Sequence, residues 1–390
     1  MSNPFSRDDG LLQGSCLSPL LYSVYIDDIV ERIRSSENVL LYLFADDIAI
    51  VAPDKDTMRR ALGRAESFAY ERGFRFSPTK CAILRNGRDV SEVLLHGQPI
   101  PEVEQFKYLG VLFTASGADW YAHFKRNAEK QIGMVQRFAT LGFHPGGFLP
   151  RTAQMVLKCF LRPVGEYGLA ATPGKEAFMK PLQQAQNVTL RYMLGGGPRT
   201  SVYAMHLLAD IPMVRSRHDT LKSCFLAEIQ RQPPDSRVLR AFRQSQEKWT
   251  RDSCFSDIAG LEMYKHYAHW CQHTPVRQWH QVIAFWKHEA HREQRIRLRT
   301  LCPRGDAFPM EINLFTNLSR CSSSAARLIH RWVLGQLPTY PSAYLVCGQL
   351  MTPEHAIRCL GINPDRMIRW GYYPLACSSL EAIERQAIAL

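Results

Sequence analysis

The sequence predicts an α+β fold in two parts, a small antiparallel sheet with helices followed by a mainly α-helical remainder. Three observations carry this expectation. Residues 39–52 read as two short strands around a tight acidic turn, the segments flanking them repeat apolar residues at helical spacing, and residues 116–230 read as helices with short breaks. The charge divides at the same place. Residues 1–115 hold 13 Lys+Arg and 16 Asp+Glu, a balance of −3, whereas residues 116–390 hold 35 and 20, a balance of +15. Acidic clusters attract divalent cations and basic surfaces attract phosphate backbones. Arg-rich helices with solvated faces would produce the same balance.

A chain of 390 residues has room for two or three domains. Its 46% hydrophobic and 22% charged residues exclude a disordered protein. No run of about 18 apolar residues exists, so no membrane span is expected. Residues 1–10 lack the apolar core of a signal peptide, which predicts an intracellular protein, nuclear or cytoplasmic and not secreted. Eleven cysteines, an odd number spread from Cys16 to Cys377, read as reduced thiols.

The acidic turn is the first element to justify. VLLYLF (39–44) and IAIVA (48–52) are apolar and β-branched enough for strands, and Ala45-Asp46-Asp47 joins them with the acids at the tip. A buried carboxylate is costly unless paired or bound to a cation, although aspartate also favours turns for their own sake. Upstream, Ser18 and Pro19 predict a helix start, followed by an apolar stripe of Leu20, Leu21, Val24, Ile26, Ile29, Val30 and Ile33. Gln13-Gly14-Ser15 precedes it and reads either as an anion-binding loop or as a plain glycine turn. Downstream, residues 56–76 predict an amphipathic helix capped by Asp56 or Thr57, with Met58, Ala61, Leu62, Ala65, Phe68 and Ala69 inward and Gly73 at its end. FSPTKCAILRNG (76–87) reads as a turn entering a short strand that starts at Lys80, and EQFKYLGVLFT (104–114) as strand–turn–strand around Gly110.

In order and spacing, QGSCLSPLLYSVYIDDI, LYLFADDIAIVA, FSPTKCAIL and FKYLGVLF resemble motifs B, C, D and E of reverse transcriptases. The wording QG-x-x-LSP, F-x-x-F-ADD-like and FKYLGV is most similar to the non-LTR, LINE-type retrotransposon branch. The resemblance covers residues 10–114 and implies part of a polymerase palm over residues 1–115. It implies an RNA template, a DNA primer and deoxynucleoside triphosphates as partners, with Mg²⁺ or Mn²⁺ as cofactor. Asp46 would be a metal ligand, and Asp47 would support the second ion or the primer end. Gln13, Gly14, Ser15, Phe44 and Ala45 would line the nucleotide and template site. Lys80 would close on the triphosphate, unless it is a solvated strand-end lysine. Phe106, Lys107, Tyr108, Leu109 and Gly110 would grip the primer.

Two parts of the family pattern are not found. The palm takes a third carboxylate from a strand several dozen residues before the QG loop, and here only MSNPFSRDD precedes Gly10. The fingers are missing as well, so a truncated polymerase, inactive alone, is expected. The alternative is a catalytically dead nucleic-acid-binding remnant. An intron maturase is a weaker rival, because FKYLGV argues against it.

The remainder resembles the later regions of the same elements. Residues 116–230 are similar to the helical thumb and connection, and Lys125, Arg126, Lys130, Arg137 and Arg191 would track an RNA–DNA hybrid. Residues 231–330 form a helical basic region without a motif, and its segment WKHEAHREQRIRLR (286–299) reads as a nucleic-acid face or an ordinary exposed helix. Residues 331–390 resemble a Cys/His knuckle, with Cys347, His355 and Cys359 at zinc-ligand spacing. Tyr344 stands where the family pattern has a cysteine, and three ligands make a poor structural Zn²⁺ site.

Overall fold

Residues 14–34, 38–86, 92–247 and 279–301, with His330 and Leu334, are described by the computed structural model. The chain separates between Asp119 and Trp120 into two units, Met1–Asp119 and Trp120–Leu390.

The first unit mixes helices with small antiparallel sheets, an α+β arrangement. Strands β1 (Leu40–Phe44) and β2 (Asp47–Val51) form a hairpin in the register Leu41↔Ile50 and Leu43↔Ile48. Side chains alternate across a strand, so these four face one side, where Leu41 is buried and the others are half-buried. Helices α1 (Ser18–Ile26), α2 (Ile29–Arg34) and α3 (Lys55–Glu71) close that side, burying Ile26, Ile29, Ile33, Ala61, Ala65 and Phe68. Each large aliphatic or aromatic group contributes about 1.5–3 kcal/mol when fully buried.

Helix α3 follows the expected inward face but begins one cap earlier. Asp54 accepts a hydrogen bond from the Thr57 amide at 2.8 Å and a second from its hydroxyl at 2.8 Å. Gly73, at φ 74°, ends it: its amide donates to Tyr70 and that of Phe74 to Ala69. Phe74 then packs edge-on against Phe68.

Three local expectations are corrected. Helix α1 has Leu17 rather than Ser18 at its N-cap, without a side-chain cap, because Leu17 already has helical angles. The apolar stripe proves to be two opposite faces. Tyr22, Ile26, Ile29 and Ile33 turn inward at helical spacing, leaving Leu20, Leu21 and Val24 exposed, Val24 to 70%. Between Ile26 and Ile29 the helix breaks at Asp27-Asp28, and Asp28 pairs with Arg72. Residues 76–86 form a 3₁₀ turn, Pro78–Lys80, and then a single parallel bridge from Ile83 to Glu102 in place of a strand. Two further sheets complete the unit: β3 (Leu94–Leu95) with β4 (Gln98–Pro99), and β5 (Phe106–Tyr108), β6 (Val111–Thr114) and β7 (Gly117–Ala118).

The described part of the second unit is helical: α4 (Trp120–Thr140), α5 (Pro150–Val156), α6 (Arg162–Glu166), α7 (Glu176–Leu194), α8 (Val202–Ala209), α9 (Val214–Gln230), α10 (Arg237–Glu247) and α11 (Trp279–Leu301). A π-helical turn, Leu157–Leu161, joins α5 to α6, and the Arg162 amide donates back to Leu157. Pro163 supplies the reason. It has no amide hydrogen and its ring would strike the carbonyl one turn back, so the turn widens. Helix α6 stops at Glu166, and Gly168 follows at φ 85°.

Helices α4 and α7 pack around Phe124, Leu169, Met179, Leu182 and Val214. Polar pairs interlock this core: the Gln131 amide donates to the Thr189 hydroxyl at 3.1 Å, and His123 Nε2 lies 2.8 Å from the Tyr167 carbonyl. His206 is fully buried, its Nδ1 hydrogen donating to Ile211 at 2.9 Å while Nε2 accepts from Gln183 at 3.2 Å. Burial lowers its pKa to about 4, against the weaker opposing effect of the Ile211 carbonyl. Asp210, at φ 54°, ties three elements together. It accepts from His291 at 2.8 Å and Arg295 at 2.6 Å on α11, and Lys158 of the π turn lies 3.8 Å away. Burial alone would raise its pKa, but these partners outweigh it and hold it at about 2. No described helix is long and apolar enough to cross a membrane.

Two outcomes follow. A Cβ at Gly165 would lie 2.2 Å from Gln131 Oε1 and 2.5 Å from Leu182 Cδ1, so Gly165→Ala should cost about 1–3 kcal/mol in urea unfolding. The folded state refuses a proton at His206 that the unfolded chain accepts from its ordinary pKa of 6.5 downward. Stability should therefore fall as pH drops from 6.5 towards 4, by up to about 3 kcal/mol for this residue. His330, fully buried and also lowered to about 4, acts in the same direction. Urea midpoints measured across this range should decline less steeply in His206→Asn, itself weaker at neutral pH.

Candidate metal and nucleotide site

Pairing of Phe44 with Asp47 leaves Ala45 and Asp46 as a two-residue loop. Ala45 sits at φ 50°, a left-handed conformation that costs an L-residue about 1–2 kcal/mol. The loop throws Asp46 to the tip, and Asp47 becomes the first residue of β2. Phe44, Asp46 and Asp47 are all exposed, Phe44 to 64%.

The two carboxylates face different neighbours. Tyr22 of α1 packs on the same core cluster as Leu43 and Ile48, which flank the turn. Burial raises its phenol pKa, and Asp46 is the charge that adds most to the rise. Tyr108 of β5 is raised by burial and then by Asp47. The charge of Asp46 is thus felt by Tyr22 of the first helix and that of Asp47 by Tyr108 of the second hairpin. Tyr22 is absent from the apolar stripe expected from sequence. The signal was present, since Tyr22 precedes Ile26 by four residues and Ile29 by seven, but a phenol does not score as apolar.

The other expected site residues are placed unevenly. Gly14, at φ 90°, is exposed, and no atom lies within 4 Å of where a Cβ would stand. The Ser15 hydroxyl accepts from the Leu17 amide at 3.3 Å, and Gln13 lies outside the described residues. Lys80 ends the 3₁₀ turn with an exposed side chain, and no ion pair joins it to either carboxylate. Phe106 and Lys107 are exposed on β5, whereas Tyr108 is half-buried and packs edge-on against Phe113. Leu109 and Gly110, at φ 46° and 81°, make the mirror-image turn that suits strand twist. Cys347, His355 and Cys359 lie outside the described residues.

Asp46 and Asp47 have no hydrogen-bond or ion-pair partner among the described residues, so their oxygens are open to a cation. Mg²⁺ keeps several waters and takes one or two carboxylates plus substrate phosphates, and this donor set fits it. No group of three or more His, Cys, Asp or Glu suited to a metal occurs among the described residues.

Residues 3–113 match the family of reverse transcriptases (RNA-dependent DNA polymerases), within the first unit. The chain is 29% identical to the retrovirus-related Pol polyprotein from type-1 retrotransposable element R2 of Nasonia vitripennis, over 28% of this chain and 12% of that protein. The R2 polyprotein of Popillia japonica is 26% identical, over 37% and 27%. The RNA-directed DNA polymerase from mobile element jockey of Drosophila funebris is 30% identical, over 27% and 13%. The matches thus span 12–27% of the length of these relatives. No solved structure matches.

Removing each charge separately should resolve the two sides of the tip. Asp46→Asn should lower the Tyr22 pKa and leave Tyr108, and Asp47→Asn the reverse. Tyrosine-selective ¹³C NMR titration checks this, with Tyr22→Phe and Tyr108→Phe to assign the signals.

Proposed function

We propose that this chain, whose residues 3–113 match the reverse transcriptase family, is the hairpin-bearing part of an RNA-directed DNA polymerase of a non-LTR retrotransposon. The observation that carries this reading is the pair of exposed carboxylates, Asp46 and Asp47, set at the turn of the β1–β2 hairpin, whose charges raise the pKa of Tyr22 and Tyr108. Asp46 and Asp47 would hold Mg²⁺ or Mn²⁺, which when bound lowers the pKa of the primer 3′-hydroxyl and neutralises the leaving pyrophosphate. Gln13, Gly14 and Ser15 form the floor under nucleotide and template, where a glycine without a Cβ permits close approach. Lys80, exposed at the end of a short turn, would reach the triphosphate and return a proton to pyrophosphate. Phe106 to Gly110 hold the primer strand against the Asp47 side.

In the second unit, α4 carries Lys125, Arg126, Lys130 and Arg137 on its exposed face, which supports contact with the backbone of an RNA–DNA hybrid. Arg191 differs. It is half-buried, with its Nε enclosed, and belongs to the packing. Three carboxylates would complete the metal site, and no group of three or more suited to a metal occurs among the described residues. That observation favours a second reading, a nucleic-acid-binding remnant that does not polymerise.

Primer extension on an RNA template with Mg²⁺ or Mn²⁺ tests both. The chain alone should bind primer–template in a salt-dependent way without extending it. Arg126→Glu with Arg137→Glu should flatten the dependence of log K on log salt by about 2. Extension that vanishes in Asp46→Ala would show instead that two carboxylates suffice.

A further inference from the structure

Helix α11 packs against α8 and α9 through a face unlike the one that joins α4 to α7. Around α4 and α7 the enclosed side chains are Phe124, Leu169, Met179 and Leu182, each at most 3% exposed. On α11, among the described side chains, Leu298 is the one buried apolar group. Gln294, one turn before it, is buried with no partner for its Nε2, and the Ser223 hydroxyl of α9 is enclosed without a partner as well. An enclosed polar group that makes no hydrogen bond opposes burial. What holds this face is charge. His291 and Arg295, one turn apart, both donate to Asp210, at 2.8 and 2.6 Å, and Lys158 lies 3.8 Å from the same carboxylate. That carboxylate is 15% exposed, a setting in which charge-assisted hydrogen bonds are strong. At the end of the same helix, Leu301 walls a cavity of about 490 Å³ lined also by Asn187, Ser201, Val202, Tyr203 and Met213.

We infer that α11 is a latched helix: the Asp210 carboxylate holds it against α8 and α9, and loss of that charge frees the whole helix and, with it, the Leu301 wall of the cavity. In such an opening a unit with little apolar burial leaves while the rest of the fold stays closed. None of the latch residues belongs to the apolar cluster around α4 and α7, which therefore does not follow. Asp210 sits at φ 54°, a conformation that asparagine tolerates, so Asp210→Asn removes the charge and keeps the backbone. The latch lies wholly within the second unit and does not depend on the polymerase reading.

Hydrogen–deuterium exchange of the full chain, read by mass spectrometry on peptides from α4, α7 and α11, tests it. In the parent chain α11 should exchange ahead of α4 and α7. Asp210→Asn should speed exchange at least about tenfold along all of α11, its last turn with Leu301 included, and leave α4 and α7 unchanged. Arg295→Gln removes the shortest of these contacts from the other side and carries the test where the first variant does not fold. A rise limited to the turn around Arg295, with the Leu301 turn still protected, would be local fraying and would overturn the proposal. Equal acceleration in α4, α7 and α11 would overturn it too, because the carboxylate would then hold the whole unit and not one helix. Unchanged exchange in both variants, or failure of both to fold, would do the same.

Discussion

A carboxylate without a partner cannot be left in an apolar interior, yet the strands on either side of Asp46 and Asp47 must enter one. The first unit is organised around that constraint. A two-residue loop lets Leu43 and Ile48 pack inward while the acids between them stay in water. The register is then fixed by burial. A slip of one residue would turn Leu41, Leu43, Ile48 and Ile50 to solvent and drive their neighbours into α2 and α3. The strain at Ala45 is the local cost of that placement.

Around the tip, neighbouring elements arrive from two directions. The Asp46 charge raises the pKa of Tyr22 on helix α1, and the Asp47 charge that of Tyr108 on the second hairpin, in each case after burial. The adjacent acids are therefore not equivalent. Each acts on a different phenol, and neither is paired with a described cation. This leaves their charge available to a metal, in agreement with the reverse transcriptase match over the same residues.

The second unit solves a different problem, how helices rich in amides and imidazoles share a core. Gln183 uses both its donors and its oxygen: the oxygen accepts from the Val214 amide at 2.8 Å, and the nitrogen donates to Asn187 at 2.8 Å and His206 at 3.2 Å. Such a network offsets the desolvation of its members and favours one packing. The π turn before Pro163 and the left-handed Asp210 serve the same end. They bring Lys158 to the carboxylate that anchors α11.

By itself the sequence determined the local elements whose physics is local. The hairpin and its acidic tip, the α3 face, the Gly73 stop and the helical character of residues 116–230 were legible from periodicity, turn chemistry and glycine. The reverse transcriptase motifs were legible too, because their spacing encodes a chemistry. What only the tertiary structure decided is which of two apolar faces of α1 is buried. Leu20, Leu21 and Val24 are as apolar as Ile26, Ile29 and Ile33, and the choice is made by the sheet and α3 packed opposite. The same holds for Tyr22 beside Asp46 and for Asp210 between two helices and a π turn. These contacts join residues up to 85 apart in the chain. Their energy comes from shared exclusion of water, which no single segment carries on its own.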